Sequence, residues 1–320
     1  MAFSRLVWIA GLVLGACWPL AFAPFDQSYL AIILLVGLFA IADRASPRLA
    51  AWTGFTFGLS AFAVGIYWLA IPLHNFAHMD WVLSGTAVLL LAFYCALYPA
   101  LALWIARKWW PRKGLFALPF VWVLSEWLRA HLFTGFPWLA TGYSQTWSIL
   151  GGWAPLLGQY GVGLATACVA SLILLLYRHR SERRMVMSTV GAITLLYAGG
   201  AVSAEIQWTR PMPHPLSVRL IQGDIPVTEK WNTHQLDAVL NRYVKLILAT
   251  PRGTMLDVLP ETAFPVFQTQ IPDLLHGLQV WSAHHHTQII LGIVQYARRR
   301  YYNAALDIDG TSPSGIANSI

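Results

Sequence analysis

The chain has 320 residues, of which 57% are apolar and only 11% charged, against about 25% charged in an ordinary soluble domain. So much apolar surface exceeds what a soluble core absorbs and fits a lipid surround instead. The net charge of +7 would suit a nucleic-acid partner, but the basic residues fall in short clusters between apolar runs, a topology pattern and not a binding stripe.

Residues 1–23 imitate a secretory signal, with Arg5, an apolar stretch and then Ala21-Phe22-Ala23. Pro24 follows the would-be cleavage point, where a proline blocks processing, so the segment reads as a retained first span. Candidate spans follow at 6–23, 29–42, 52–71, 82–106, 115–133, 156–177 and 185–203. Most are near the ~20 residues a bilayer core requires, and the short second one calls for tilt or local thinning.

The basic residues order these spans. Arg5 precedes the first, Arg44 and Arg48 follow the second, Arg107, Lys108, Arg112 and Lys113 the fourth, and Arg178, Arg180, Arg183 and Arg184 the sixth. The alternate connections, 24–28, 72–81 and 134–155, contain no Lys or Arg. The positive-inside rule then predicts a cytoplasmic N-terminus, seven crossings, and everything after residue 204 outside.

Within the apolar region, Gly11 and Gly15, like Gly54 and Gly58, have the Gly-x-x-x-Gly spacing of close helix contacts. Cys17, Cys95 and Cys168 each lie in an apolar run and read as small buried hydrophobes, with no disulfide framework. Glu126 and Arg129 share one helical face, either as a structural ion pair or as groups with a direct part in the chemistry. The outer connection Phe133-Thr134-Gly135-Phe136-Pro137-Trp138, running on to Gly142-Tyr143-Ser144-Gln145, is too apolar for a solvated loop. It reads as an interfacial aromatic belt or as the lipid-facing wall of a substrate cavity. His74 and His78 have helical spacing but no third ligand, and His284, His285 and His286 are adjacent and diverge, so no metal is assigned.

After Glu205 the character changes: Pro211, Pro213 and Pro215 mark a linker. Strands are expected at 216–221, 255–259 and 288–294, helices at 232–249 and 271–285, and a further strand at 301–308 in a hairpin with the third. This alternation means a largely parallel α/β sheet, whose chemistry gathers past the carboxyl ends of strands. Glu261, in Leu259-Pro260-Glu261-Thr262-Ala263, sits there, as a turn carboxylate or a working acid.

Several ordered motifs resemble the apolipoprotein N-acyltransferase family: Phe136-Pro137-Trp138-Leu139, Gly142-Tyr143-Ser144-Gln145, Ile221-Gln222-Gly223-Asp224-Ile225-Pro226 with Lys230-Trp231, Pro260-Glu261-Thr262-Ala263-Phe264-Pro265, Gly292-Ile293-Val294 and Tyr302-Asn303. The resemblance implies a polytopic α-helical membrane bundle of seven spans over 1–204, followed by part of an α/β nitrilase-like sandwich (CN hydrolase) domain over 205–320. It also implies a bacterial inner-membrane protein that needs no cofactor, binds no nucleic acid and carries its second domain in the periplasm. Its substrates would be a phospholipid acyl donor and a diacylglyceryl-modified apolipoprotein. The family uses a Glu–Lys–Cys triad in a ping-pong acyl transfer through a thioester. By resemblance Glu261 is the general base, Trp231 guards the substrate entrance, Trp138 and Tyr143 belong to the outer substrate-binding loop, and Asn303 is a structural support.

The pattern departs from the family at one point. The family's lysine and cysteine follow the glutamate, and after Glu261 this sequence has neither; Lys230 and Lys245 precede it, on other elements. The eighth span usual in the family is not found, and the outer portion, about 115 residues, ends in Thr311–Ile320 without strand or helix pattern. The expectation is a truncated chain that is inactive alone. The competing function is a non-catalytic membrane scaffold or lipid-binding remnant. A soluble nitrilase or amidase would need the same triad and no spans, and a transporter would need polar midplane sites and an inverted repeat.

Overall fold

The computed structural model describes residues 2–211, 213–232, 234–297 and 299–310, with side chains throughout except at 2–5 and 228. The Arg5 side chain and the closing stretch Thr311–Ile320 lie outside the described residues. The chain forms two compact units, Met1–Thr209 and Arg210–Ile320.

The first unit is helical: α1 (Ala2–Cys17), α2 (Ser28–Arg44), α3 (Pro47–Gly65), α4 (Ala70–Asn75), α5 (Trp81–Trp109), α6 (Gly114–His131), α7 (Ala154–Arg178) and α8 (Arg183–Glu205). Two starts follow from their caps. Ser46 accepts the Leu49 N–H ahead of Pro47, and Asp80 accepts from Val82 and Leu83. Each predicted span falls on a helix, yet among the described residues only three stretches, Trp81–Trp109, Ile149–Arg178 and Arg183–Glu205, are long and apolar enough to cross a membrane by themselves. Counting α3 with Tyr67–Asn75 as one span raises this to four. That third predicted span is not continuous: the chain bends by 51° after Gly65. The α2 helix has 17 residues, and α6 has 18 with two charges buried in it.

Both glycine pairs are packing surfaces against α3 or from it. A Cβ on Gly11 would lie 2.3 Å from Thr56 Oγ1, and one on Gly15 2.1 Å from the Phe57 carbonyl, so α1 rests directly on α3. Gly54 and Gly58 in turn meet α5, at the Pro99 carbonyl (2.4 Å) and Ala96 Cα (2.7 Å). Among the basic connections, Asp43 at the end of α2 holds Arg178 at 2.5 Å and Arg107 at 3.8 Å, drawing the ends of α2, α5 and α7 to one carboxylate.

The second unit contains β1 (Val218–Leu220), α9 (Val227–Lys230), α10 (Leu236–Leu248), β2 (Leu256–Val258), β3 (Phe264–Phe267), α11 (Pro272–His285), β4 (Gln288–Ala297) and β5 (Arg300–Ile308). The sheet runs β1-β2-β4 in parallel, with β5 antiparallel on β4. β2 and β3 pair with successive stretches of β4, at Gln288–Ile290 and Ile293–Val294. The strand β3 and the single turn α9 are absent from the sequence reading. Pro265 inside β3 removes a ladder donor and disguises it, and its register on β4 is irregular. One apolar cluster joins the sheet to the helices, with Val239, Tyr243 and Ile247 of α10 and Leu278 of α11 over Ile289, Leu291 and Ile293.

Asp257 of β2 is fully buried. One oxygen accepts the Thr250 hydroxyl at 2.5 Å, Arg219 donates to that same hydroxyl oxygen at 2.6 Å, and Oδ1 has no partner among the described residues. Burial pushes the carboxyl above the ordinary Asp range, with the Thr250 bond and Arg219 pulling it partly back. The folded protein therefore holds this proton more tightly than the unfolded one. The stability it contributes is complete below the unfolded pKa and is lost as pH rises through the folded pKa. Hydrogen exchange across β2 and β4 in the full chain should quicken over that window in the native protein, and Asp257→Asn should flatten the pH dependence.

Candidate functional site

Glu261 lies on the bend between β2 and β3. The bend crosses β4 at Gly292, where a Cβ would stand 2.3 Å from the Thr262 nitrogen and 2.6 Å from the Pro260 carbonyl. Only glycine lets the two backbones approach so closely. The bend is closed by the Ala263 N–H on the Pro260 carbonyl at 3.2 Å, with Thr262 in the left-handed region at φ +48.

The Glu261 carboxylate is exposed and is oriented by Asn303 of β5, whose Nδ2 donates to Oε1. Asn303 sits opposite Val294, and its own carbonyl accepts the Thr262 hydroxyl at 3.3 Å. With that oxygen occupied, the amide must turn its nitrogen to the carboxylate. Oε2 carries no hydrogen bond among the described residues, which leaves it able to take a proton from a ligand.

The sequence reading set Lys230 aside because it precedes the glutamate; the fold brings the two together. The Lys230 ammonium donates to the Glu261 main-chain carbonyl at 2.8 Å. The signal was available in the topology. Lys230 and Glu261 follow the carboxyl ends of β1 and β2, which are parallel neighbours, so their loops share one sheet edge. Trp231, next to Lys230, is 59% exposed.

The first unit contains the other predicted residues. Glu126 and Arg129 of α6 are both buried, yet no ion pair joins them among the described residues. Glu126 instead accepts from the Thr141 N–H at 2.9 Å and the Thr141 hydroxyl at 2.7 Å, and that hydroxyl accepts the Trp122 indole N–H at 2.8 Å. Arg129 donates to the carbonyls of Phe136 and Trp138. The ion-pair reading is therefore replaced by a pair of anchors for the outer connection. The space beside them is about 20 Å³, room for about one water and no substrate.

Held this way, Trp138 stacks on Phe136 (5.4 Å, 17° between planes) and stands 6.3 Å from Trp68. Trp138 and Tyr143 line one cleft of about 480 Å³ with Asp26, Trp68 and Trp147. His74 and His78 do not share a helix: α4 ends at Asn75, and His74 is bonded to the Met79 carbonyl at 2.7 Å.

Two substitutions test this construction. Gly292→Val should displace the 260–262 bend and speed its hydrogen exchange by at least tenfold, with the α10 core unaffected. Arg129→Met should leave two partly buried carbonyls unpaired, at about 1–3 kcal/mol each at most, and expose residues 134–145 to limited proteolysis in detergent.

Residues 14–172 match a family described as the apolipoprotein N-acyltransferase N-terminal domain. The chain is 37% identical over 315 residues to the apolipoprotein N-acyltransferase of Nitrosomonas europaea, covering 95% of this chain and 62% of that protein. It is 35% identical over 307 residues to the protein of the same name from Methylococcus capsulatus, covering 93% and 60% respectively. With that of Ralstonia nicotianae it shares 39% identity over 280 residues, 84% of this chain and 52% of the other. The chain thus spans about 60% of the length of the first two relatives.

Proposed function

Because the chain belongs to the apolipoprotein N-acyltransferase family, we propose that it supplies the membrane frame and general base for acyl transfer from a phospholipid to the N-terminal amine of a diacylglyceryl-modified apolipoprotein. In this reading α1, α2, α3 with its bent continuation, and α5 to α8 are the seven crossings of a bacterial inner-membrane protein. The N-terminus is cytoplasmic, and residues 205–320 form the first part of a nitrilase-like periplasmic domain. The alternation of basic and Lys/Arg-free connections supports this orientation.

The chemistry follows from the Glu261 bend. The carboxylate takes a thiol proton, and the thiolate attacks the phospholipid ester carbonyl. A lysine and main-chain donors stabilise the tetrahedral oxyanion, which collapses to a thioester and expels the lysophospholipid alcohol. The free α-amine of the apolipoprotein then attacks the thioester, forming the amide and returning the thiol. Trp138 and Tyr143 would receive acyl chains or headgroups, and Trp231 would guard the entrance to the outer site.

The thiol and the triad lysine are not among the residues that follow Glu261 here, and Cys17, Cys95 and Cys168 lie on or at the ends of bundle helices. That observation favours a second reading for these 320 residues by themselves, a lipid-binding scaffold without turnover. The observation that carries the first reading is the match over nearly the whole chain to relatives bearing the enzyme's name.

A chimera tests it. Residues 1–310, joined to the remaining C-terminal part of the Nitrosomonas europaea protein, should restore lipoprotein N-acylation in cells depleted of their own enzyme. Mass spectrometry of the lipoprotein N-terminal peptide reads the outcome. Glu261→Gln in the chimera should lower the rate by about 10²–10⁴-fold, and the 320-residue chain alone should form no hydroxylamine-sensitive acyl adduct. A chimera that inserts normally and acylates nothing would sink the reading.

A further inference from the structure

We propose that the aromatic cleft of the first unit is a binding site for an organic ammonium group carried by a lipid-anchored molecule, with Asp26 as its counter-charge. The proposal deepens the acyl-transfer reading and rests on it for which molecules would bring the amine.

The charge of the cleft is one-sided. The connections at 24–28, 72–81 and 134–155 contain no Lys or Arg. Asp26 is the one formally charged side chain among the lining residues of the cleft. A phosphate or carboxylate finds no cation there. A cation finds a carboxylate and the aromatic side chains of Trp68, Trp138, Tyr143 and Trp147. Aromatic faces carry negative quadrupole density, and indoles attract ammonium groups most strongly.

The carboxylate is not spent on the fold. Asp26 is exposed, and its side chain makes no hydrogen bond or ion pair among the described residues. Its main chain fixes its place instead: the N–H donates to the Phe22 carbonyl at 2.9 Å, the carbonyl accepts from Ser28 at 2.9 Å, and φ is +53. Few residues other than Asp, Asn and Gly adopt that conformation without strain.

The aromatic wall is equally preset. Trp138 is stacked on Phe136, and Arg129 holds its main-chain carbonyl at 2.7 Å. A cleft of about 480 Å³ falls within the range of small-molecule sites, about 300–1,000 Å³. Under the acyl-transfer reading two molecules present such a group: a phospholipid with an ethanolamine headgroup, and the diacylglyceryl polypeptide with its free α-amine.

Native mass spectrometry of the full chain in detergent separates these sources without requiring turnover. The chain is titrated with phosphatidylethanolamine against phosphatidylglycerol of the same acyl chains. It is also titrated with a short diacylglyceryl peptide whose N-terminus is free or acetylated. At least one amine-bearing ligand should bind about fivefold tighter than its amine-free counterpart, and the pair that shows it identifies the source. Asp26→Asn keeps the left-handed main chain and removes the charge, so selectivity should fall below about twofold. Trp138→Leu should weaken amine binding with the carboxylate still in place.

Equal affinity within both pairs, or selectivity unchanged in Asp26→Asn, would overturn the proposal. Amine selectivity can be lost while the chimera still acylates, and kept while it does not, so the two readings fail separately.

Discussion

A carboxylate and a guanidinium buried on one helix must complete their hydrogen bonds without water, and the rest of the first unit is arranged around how they do so. Glu126 and Arg129 reach out of α6 to the connection that follows it, not to each other. Each unmet hydrogen bond at such a buried group would cost about 1–3 kcal/mol, so the connection is held wherever those two groups stand. It then has no freedom to behave as an ordinary loop. Trp138, Tyr143 and their neighbours are fixed as a wall, and a cleft exists because that wall stays in place. The two buried groups shape the cleft through the connection they hold.

The second unit uses sterics where the first uses polarity. Gly292 lets the Pro260–Thr262 bend lie against β4, and the bend fixes where the Glu261 carboxylate emerges. Asn303 and Thr262 then orient one carboxylate oxygen, and Lys230 secures the main chain beneath. The bend between β2 and β3, the strands β4 and β5 and the single turn α9 thus converge on a single acid. Such convergence at the carboxyl ends of parallel strands is what the topology provides; the particular residues decide what is done with it.

Much of this was legible in sequence. Apolar runs placed every long helix, because burial in lipid leaves a coarse and unambiguous pattern. Alternation and turn residues located β1, β2, β4 and β5. The Gly-x-x-x-Gly pairs at Gly11/Gly15 and Gly54/Gly58 do meet neighbouring helices. What was not legible depended on long-range geometry. β3 was hidden by Pro265, and the partnership of Lys230 with Glu261 by a separation of 31 positions along the chain. The separate duties of Glu126 and Arg129 were hidden because helical spacing reports who shares a face and not what that face touches. The break after Gly65 was also hidden, since hydropathy continues through it. The number of crossings is likewise not fixed by helix length, because α1, α2 and α6 fall short of a self-sufficient span.

The Asp43 clasp has a bearing on how the bundle is put together. Its carboxylate and the Arg178 guanidinium are 135 residues apart in the chain, so the first partner leaves the ribosome long before the second. Arg107 is made between them, so the clasp is complete only once α7 has been synthesised. The clasp thus ties an early part of the chain to a late one, and it closes last.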